Sequence, residues 1–475
     1  MKHSTWIVLA LSLFLAHAEG QSEKKPNVVL FLADDLGWTG LRCFGSDLYE
    51  TPNLDRLAAE GMKFTDAYSA CTVCSPTRAS IMTGMYPARL HLTDFIPGQD
   101  RPHAKLAIPD WTKGLDAKYT TLPEALRDGG YRTIHVGKWH LNFPGEPEDP
   151  TLHGFDFSSD KPPGTKGYIL SEKAMKAVGA KSNYLTDHLA DVAVEQIRKS
   201  GDAPFFLYFA FHVPHTPIEG REDLVAEFRK KADPKAVHHN PTYAAMVKSL
   251  DMAVGRVLDA LEVQGIADET LIVFTSDNGG LTQRNGKHDD FTENLPLRRG
   301  KGSAYEGGVR VPGIVKWPGV TKAGSVCDEP IMTTDLYPTI LDVCDVDGNE
   351  TYNAGMDGVS FKPLLLDAKA SLNRDLFWHF PHYHAGGDSP YSAVRSGDWR
   401  LIEFHEDGAL ELYDLSMDLG ESKNLARTHP DVTTRLHATL QQWRTDVGAQ
   451  MPTPNPEYDP ARESDGRSKK KGKAE

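Results

Sequence analysis

Three things are scarce in this chain of 475 residues. Cysteine is one: Cys43, Cys71, Cys74, Cys327 and Cys344 are all it has, far too few to staple a fold of this length. Positive charge is another. Against 66 Asp and Glu stand 52 Lys and Arg, a net charge of −14, which argues against a nucleic-acid partner, because that needs a broad basic surface. An anionic ligand would have to find local positive charge inside a repulsive overall field. Long apolar runs are also missing. Residues 6–15 are too few to span a bilayer and no later run reaches spanning length, so stable membrane insertion is not expected.

What the first residues do contain is a leader pattern. Lys2 supplies the positive end, residues 6–15 the apolar core, and Ala16-His17-Ala18 an A-x-A cleavage site. Residues 1–18 are therefore expected to be a signal peptide, and the protein secreted or periplasmic. An odd number of cysteines in an exported chain leaves one thiol without a partner.

The length allows two or three domains. Continuous apolar runs at 27–33, 131–137, 204–211 and 270–276 read as strands buried on both faces. Between them, Leu185, Leu189, Val192, Ala193 and Ile197 share one helical face, as do Leu250, Val254, Val257, Leu258 and Leu261. This alternation predicts an α/β fold: a large, mostly parallel sheet with helices on both faces. After about residue 365 short strand candidates crowd together (375–380, 391–397, 399–404, 410–415) before a helix near 432–447. That segment, 366–450, reads as a smaller antiparallel sheet with a helix, following a larger domain at 26–365. Residues 451–475, rich in proline and charge, read as a disordered tail.

Two of the strands end in pairs of oxygen donors, Asp34–Asp35 and Asp277–Asn278. Ligands of open parallel sheets bind beyond the carboxyl ends of the strands. Either pair alone also fits a helix cap or a turn. Together they form a hard, oxygen-rich set suited to Ca²⁺, with Mg²⁺ as the alternative, rather than zinc.

The stretch CTVCSPTRASIMTG (71–84) is the second focus. Pro76 suits the first position of a helix, which puts residue 74 at a helix N-terminus, where anions are attracted. Arg78 lies one turn along. A disulfide with Cys71, a zinc half-site or a packing thiol would each use Cys74 differently, and a bare thiolate is a poor match for a hard cation. Cys74-x-Pro76-x-Arg78 followed by ASIMTG resembles the modification site of the type I sulfatases, in the alkaline-phosphatase superfamily. PNVVLFLADDLGW, GKWHL (137–141), PHTP (214–217), SDNGG (276–280) and RGKGSAYEGGVRVP (299–312) resemble that family's other motifs and occur in its order. The similarity covers about residues 26–450, with Thr77 standing where Ser is commoner and Asn142 where Gly is usual.

The resemblance implies an alkaline phosphatase-like fold and a sulfuric ester hydrolase. It implies that a formylglycine-generating or radical maturation enzyme oxidises Cys74 to Cα-formylglycine. One hydroxyl of the hydrated aldehyde attacks sulfur, and the other then expels sulfate without an attacking water. Asp34, Asp35, Asp277 and Asn278 would hold the cation together with residue 74. Arg78 would hold the diol, and Lys138 and Lys301 would clamp the sulfate. His140 would act as base, and His215, with Lys301, as general acid on the leaving oxygen.

HFPHYH (379–384) adds His379, His382 and His384 as candidates for sugar hydroxyls, and RPHAK (101–105) and Arg298–Arg299 as candidates for anion contacts. A sulfated carbohydrate is the expected substrate, as in the secreted bacterial carbohydrate sulfatases that the chain is most like. A phosphonate monoester or phosphodiester hydrolase of the same superfamily is the main alternative. A non-catalytic binder of sulfated glycans is another, but its mark would be a missing motif residue, and none is missing. With Cys74 committed to the mechanism, the other four cysteines are available for bridges, Cys43–Cys71 and Cys327–Cys344 being one pairing.

Overall fold

The run NVVLFLA becomes strand β1 (Asn27–Ala33), buried at every residue, because both of its faces are covered. Val29 and Phe31 pack into one apolar layer and Val28, Leu30 and Leu32 into the other. Each such side chain contributes about 1.5–3 kcal/mol by leaving water. The computed structural model describes residues 25–465 except 148, 285, 286, 289 and 464. The expected signal peptide lies outside the described residues. Among them, no helix is long and apolar enough to cross a membrane.

The other strands are β2 (Met62–Tyr68), β3 (Leu106–Ala107), β4 (Arg132–Gly137), β5 (Phe157–Ser159), β6 (Phe205–Ala210) and β7 (Thr270–Ser276). A small hairpin of β8 (Gln283–Arg284) and β9 (Lys287–His288) follows, then β10 (Arg310–Lys316), β11 (Ser325–Cys327) and β12 (Ile331–Met332). Nine of these make one sheet in the order β11-β2-β10-β7-β1-β6-β4-β5, with β12 beside β2. Its pairings are parallel except where β10 runs against β2 and β7. Helix α1 (Pro52–Glu60) and the helices Leu185–Ser200 and Pro241–Val263 cover one face. Helix α2 (Cys74–Thr83) and the helices Leu122–Asp128 and Leu336–Val343 cover the other.

The C-terminal part is an antiparallel sheet of β13 (Leu376–Phe380), β14 (Tyr391–Ser396), β15 (Trp399–Phe404) and β16 (Leu410–Asp414). The helix Pro430–Asp446 packs on it through Leu436, Leu440 and Trp443. This is the architecture expected from the sequence, but the smaller sheet does not keep a core to itself. Its apolar cluster includes Tyr68, Val73, Tyr86 and Val309 of the larger unit. Buried ion pairs cross the same junction: Arg395 to Asp66 at 2.6 Å and Arg400 to Glu306 at 2.7 Å.

Two expectations are corrected. All five cysteines are free thiols, so neither the Cys43–Cys71 nor the Cys327–Cys344 bridge exists. Cys43 sits beside Asp55 and Lys63 and Cys344 beside the Tyr131 hydroxyl, each in its own surroundings. The segment from residue 451 is also not structureless at its start. Strand β17 (Thr453–Pro454) pairs with β3, and the Asn455 side-chain amide donates to the carbonyls of Pro102 (2.9 Å) and Ala104 (2.7 Å).

Candidate active site

Four neighbouring parallel strands, β7, β1, β6 and β4, end at the same level, with Ala33 opposite Ser276 and Gly137 opposite Ala210. Beyond those ends come Asp277–Asn278, Asp34–Asp35, His212 with His215, and Lys138 with His140. β2 runs the same way, since β10 opposes both it and β7, and its exit leads to Cys74. Sheet order alone therefore gathers motifs spread over more than two hundred residues.

Helix α2 begins at Cys74 itself, after extended Val73 (φ −142°, ψ 161°), so Pro76 is the third helical residue rather than the first. That position is still in the first turn, where a missing N–H costs nothing. All ten residues of α2 are buried. The Thr77 hydroxyl takes the amide of Cys71 and donates to the carbonyl of Cys71 or Val73, fixing the turn that delivers Cys74.

Around Cys74 the charges interlock. Arg78 donates to Asp277 Oδ2 through Nε (3.0 Å) and Nη2 (2.7 Å), and through Nη1 to the Lys138 carbonyl (2.8 Å). Lys138 Nζ lies 2.6 Å from Asp34 Oδ2, and Lys301 Nζ 2.7 Å from Asp35 Oδ1. Burial alone would push the Asp34 and Asp35 carboxyls up. The surrounding Lys138, Lys301, Arg78 and His215 outweigh it and hold Asp34 well below, and Asp35 below, the usual carboxylate range. Asp277 is driven the other way by burial and by the charge on Asp34.

Two oxygens in this cluster, Asp34 Oδ1 and Asn278 Oδ1, are buried and accept no hydrogen bond among the described residues. Ligand atoms of Asp34, Cys74 and Asp277 lie within 4.8 Å of one another. Unsatisfied buried acceptors are costly, and hard oxygen donors converging on one point fit a Ca²⁺ or Mg²⁺ ion.

The histidines are tuned to be neutral. His140, in the left-handed region at φ 63°, directs Nε2 to the Ile96 carbonyl at 2.6 Å, so that nitrogen carries the proton. Its Nδ1 is buried and has no hydrogen-bond partner among the described residues. Burial and Lys138 lower its pKa to about 3. His215 donates from Nδ1 to the Thr216 carbonyl at 2.6 Å and turns Nε2 toward Asp35, 3.7 Å away. Burial lowers it to about 4. His212 is held by Asp160, and the buried Tyr168 hydroxyl lies 2.6 and 2.7 Å from the carbonyls of His212 and His215.

A cavity of about 470 Å³ opens over these groups, touching Asp34, Cys74, Lys138, His140, His215 and Lys301. Asp35, Asp277, Asn278 and Arg78 form the buried floor beneath. A larger groove, about 650 Å³, lies elsewhere beside Lys25, Arg127 and Asp347 and contains none of them.

Comparison with known proteins bears on this geometry directly. The family model described as Sulfatase matches residues 26–346, and one described as N-sulphoglucosamine sulphohydrolase, C-terminal, matches residues 300–446. A sulfatase of Formosa agariphila is 32% identical, with 92% of each chain covered. Human arylsulfatase A is 32% identical over 91% of this chain and 89% of its own length. The chain belongs to the sulfatase family.

Among solved structures, Ps i-CgsB superposes with a TM-score of 0.76 at 28% identity, over 91% of this sulfatase and 94% of that chain. It has also been solved in complex with k-i-k-neocarrahexaose. The phosphonate monoester hydrolase of Agrobacterium radiobacter, at 22% identity and a TM-score of 0.64 over 90% and 97% of the two chains, shares the fold. The sulfatase is therefore a sulfuric ester hydrolase.

Its remaining candidates are dispersed. His384 lines the cavity, but His379 and His382 do not. His379 is bound between Ser392 Oγ (2.8 Å) and the Gln450 carbonyl (2.9 Å), and His382 Nε2 contacts Thr93 Oγ1 at 2.8 Å. Both rings are buried in the subdomain. Arg298 stacks 3.7 Å from the Tyr305 ring centroid and Arg299 pairs with Asp388 at 3.1 Å. In RPHAK, His103 Nδ1 contacts the Glu457 carbonyl at 3.1 Å, so this stretch serves partly to seat the C-terminal segment.

The sequence reading missed Phe95, Gln99, Lys161, Tyr168, Leu281 and Gln283, all of which line the cavity. All but Gln283, which opens β8, come from loops, and none lies in a motif. Asp94 was missed too. It is fully buried, takes the amides of Phe95 (2.8 Å) and Gln99 (3.3 Å), and burial pushes its carboxyl up to about 8.

Proposed function

We propose that this sulfatase removes sulfate from a sulfated carbohydrate, using Cα-formylglycine made from Cys74 and a divalent cation, Ca²⁺ or Mg²⁺. The observation that carries the reading is the buried cluster in which ligand atoms of Asp34, Cys74 and Asp277 lie within 4.8 Å of one another, while Asp34 Oδ1 and Asn278 Oδ1 accept no hydrogen bond among the described residues. Asp34, Asp35, Asp277, Asn278 and residue 74 would hold the cation, which supplies charge neutralisation and a lowered pKa for the attacking hydroxyl.

The protein's own groups divide the rest of the work. Arg78 and Lys138 stand beside residue 74 and Asp34, where positive charge holds the nucleophile and the sulfate oxygens. His140 presents the lone pair of Nδ1, its Nε2 proton being tied to Ile96, and so takes the proton that frees sulfate from residue 74. Lys301 stays cationic because Asp35 offsets its burial. It faces the leaving oxygen with His215. That imidazole is neutral at rest and gains its proton only when an anionic ester sits beside it.

Support for a carbohydrate comes from the cavity rim, where Gln99, Gln283 and His384 offer neutral polar contacts, and from the oligosaccharide complex of the Ps i-CgsB relative. A cavity of this size also suits a sugar ring.

The deciding experiment is mass spectrometry of the tryptic peptide 64–78 from protein matured in a competent host. Loss of sulfur with gain of a hydrazide-reactive aldehyde at Cys74 is expected, and an intact thiol there refutes the nucleophile. In parallel, release of sulfate from sulfated oligosaccharides should exceed hydrolysis of aryl phosphate and phosphonate esters, and chelation should abolish it. The reverse preference would instead support the phosphonate or phosphodiester reading.

A further inference from the structure

Lys301 reaches the active site from a loop, not from a strand end, so its position depends on what grips that loop. Three segments do. The Lys301 amide donates to the Gly280 carbonyl at 3.1 Å and the Gly302 amide to the Thr72 carbonyl at 3.0 Å. The Ala304 amide donates to Asp388 Oδ2 at 2.9 Å. Gly280 and Thr72 belong to the strand ends already described. Asp388 comes from the C-terminal subdomain, in the connection between β13 and β14, four residues beyond His384.

Asp388 grips the turn at both ends and in the middle. Its Oδ1 pairs with Arg299 at 3.1 Å, and its amide donates to the Gly302 carbonyl at 3.3 Å. The backbones meet so closely that a Cβ on Gly387 would stand 1.7 Å from the Gly302 carbonyl oxygen. Gly302, at φ +83°, would place its own Cβ 1.9 Å from His384 Nδ1. The His384 ring therefore lies directly on the residue after Lys301, and its Nδ1 accepts the Gly386 amide at 3.1 Å.

We propose that Asp388 is a positioning residue for Lys301: through one carboxylate the C-terminal subdomain fixes the turn that aims this ammonium, and with it His384, into the cavity. The inference rests on reading Lys301 as the cation that meets the leaving oxygen. Displacing such a group by about 1 Å costs up to about 100-fold in rate.

The test uses the full-length, matured enzyme with p-nitrophenyl sulfate, together with hydrogen–deuterium exchange of segment 299–306. Asp388→Ala should lower kcat about 10- to 100-fold, far more than it changes KM. It should also speed exchange of that segment about tenfold or more. Asp388→Asn keeps an acceptor for the Ala304 amide and should recover most of both losses. Arg299→Ala, which removes the partly exposed partner and so spares the fold, should give a smaller change in the same direction. Wild-type kcat and exchange in Asp388→Ala, a lost kcat with unchanged exchange, or no rescue by Asp388→Asn would overturn the proposal. Should Asp388→Ala not fold, unchanged exchange in Arg299→Ala overturns it equally. Exchange needs no turnover, so it judges the grip on Lys301 even if the wild-type assay refutes the assigned chemistry.

Discussion

His140 shows how much of the chemistry rests on a single hydrogen bond. The Ile96 carbonyl decides which nitrogen carries the proton, and the backbone holds His140 in a left-handed conformation to make that contact. Strain of this kind persists where surrounding structure enforces it. His140→Ala should lower kcat by about 10²- to 10⁴-fold, the usual worth of a general base. Metal content and melting temperature, measured alongside, should stay near wild type, and a loss of kcat below tenfold would reassign the base. The sequence showed which side chains to watch here, because GKWHL and CSPTR are contiguous. It could not show the tautomer, since Ile96 lies 44 residues from His140 in sequence, on a loop without a pattern.

Among elements, the long two-sided strands were the most legible. NVVLFLA, PFFLYFAF and TLIVFTS have no polar face to expose, so they could only be central strands, and β1, β6 and β7 sit in the middle of the sheet. The close-packed strands after residue 375 were equally readable, since β14 and β15 are joined by a two-residue turn. What the sequence hid were pairings of two or three residues. β17 is one: Thr453 and Pro454 carry no strand signal, and their order comes from contact with β3 and from Asn455. Ending the chain after Gln450 should lower thermal stability by about 1–3 kcal/mol, from the lost hydrogen bonds, with kcat largely retained. A melting curve unchanged by the truncation would mean that this pairing does not form in solution. HFPHYH is split between cavity and subdomain for a related reason. His379 and Phe380 belong to β13, and strand alternation alone does not say which cluster each side chain enters.

At the scale of the whole molecule, buried histidines set the acid limit. His379 is lowered to about 4, and His382 and His405 to about 3, in each case chiefly by burial. An unfolded chain binds these protons near pH 6.5 and the folded one only far below. The stability they leave intact above pH 6.5 is lost as the pH falls through 6.5 toward their folded values, at about 1.4 kcal/mol per histidine per pH unit. Urea unfolding at pH 7.5 and 5.0 should show the drop, and His379→Gln should flatten it. Equal stability at both values would show that these rings are accessible to protons in the folded state. The permanent charges around Cys74 have a different outcome. Arg78, Lys138 and Lys301 do not titrate in this range, so their attraction for a sulfate group outlasts the ester bond. Free inorganic sulfate should therefore compete with substrate, and phosphate with it. Sulfate already in the medium should then slow turnover, and a rate unchanged by added sulfate would show that the pocket releases it freely.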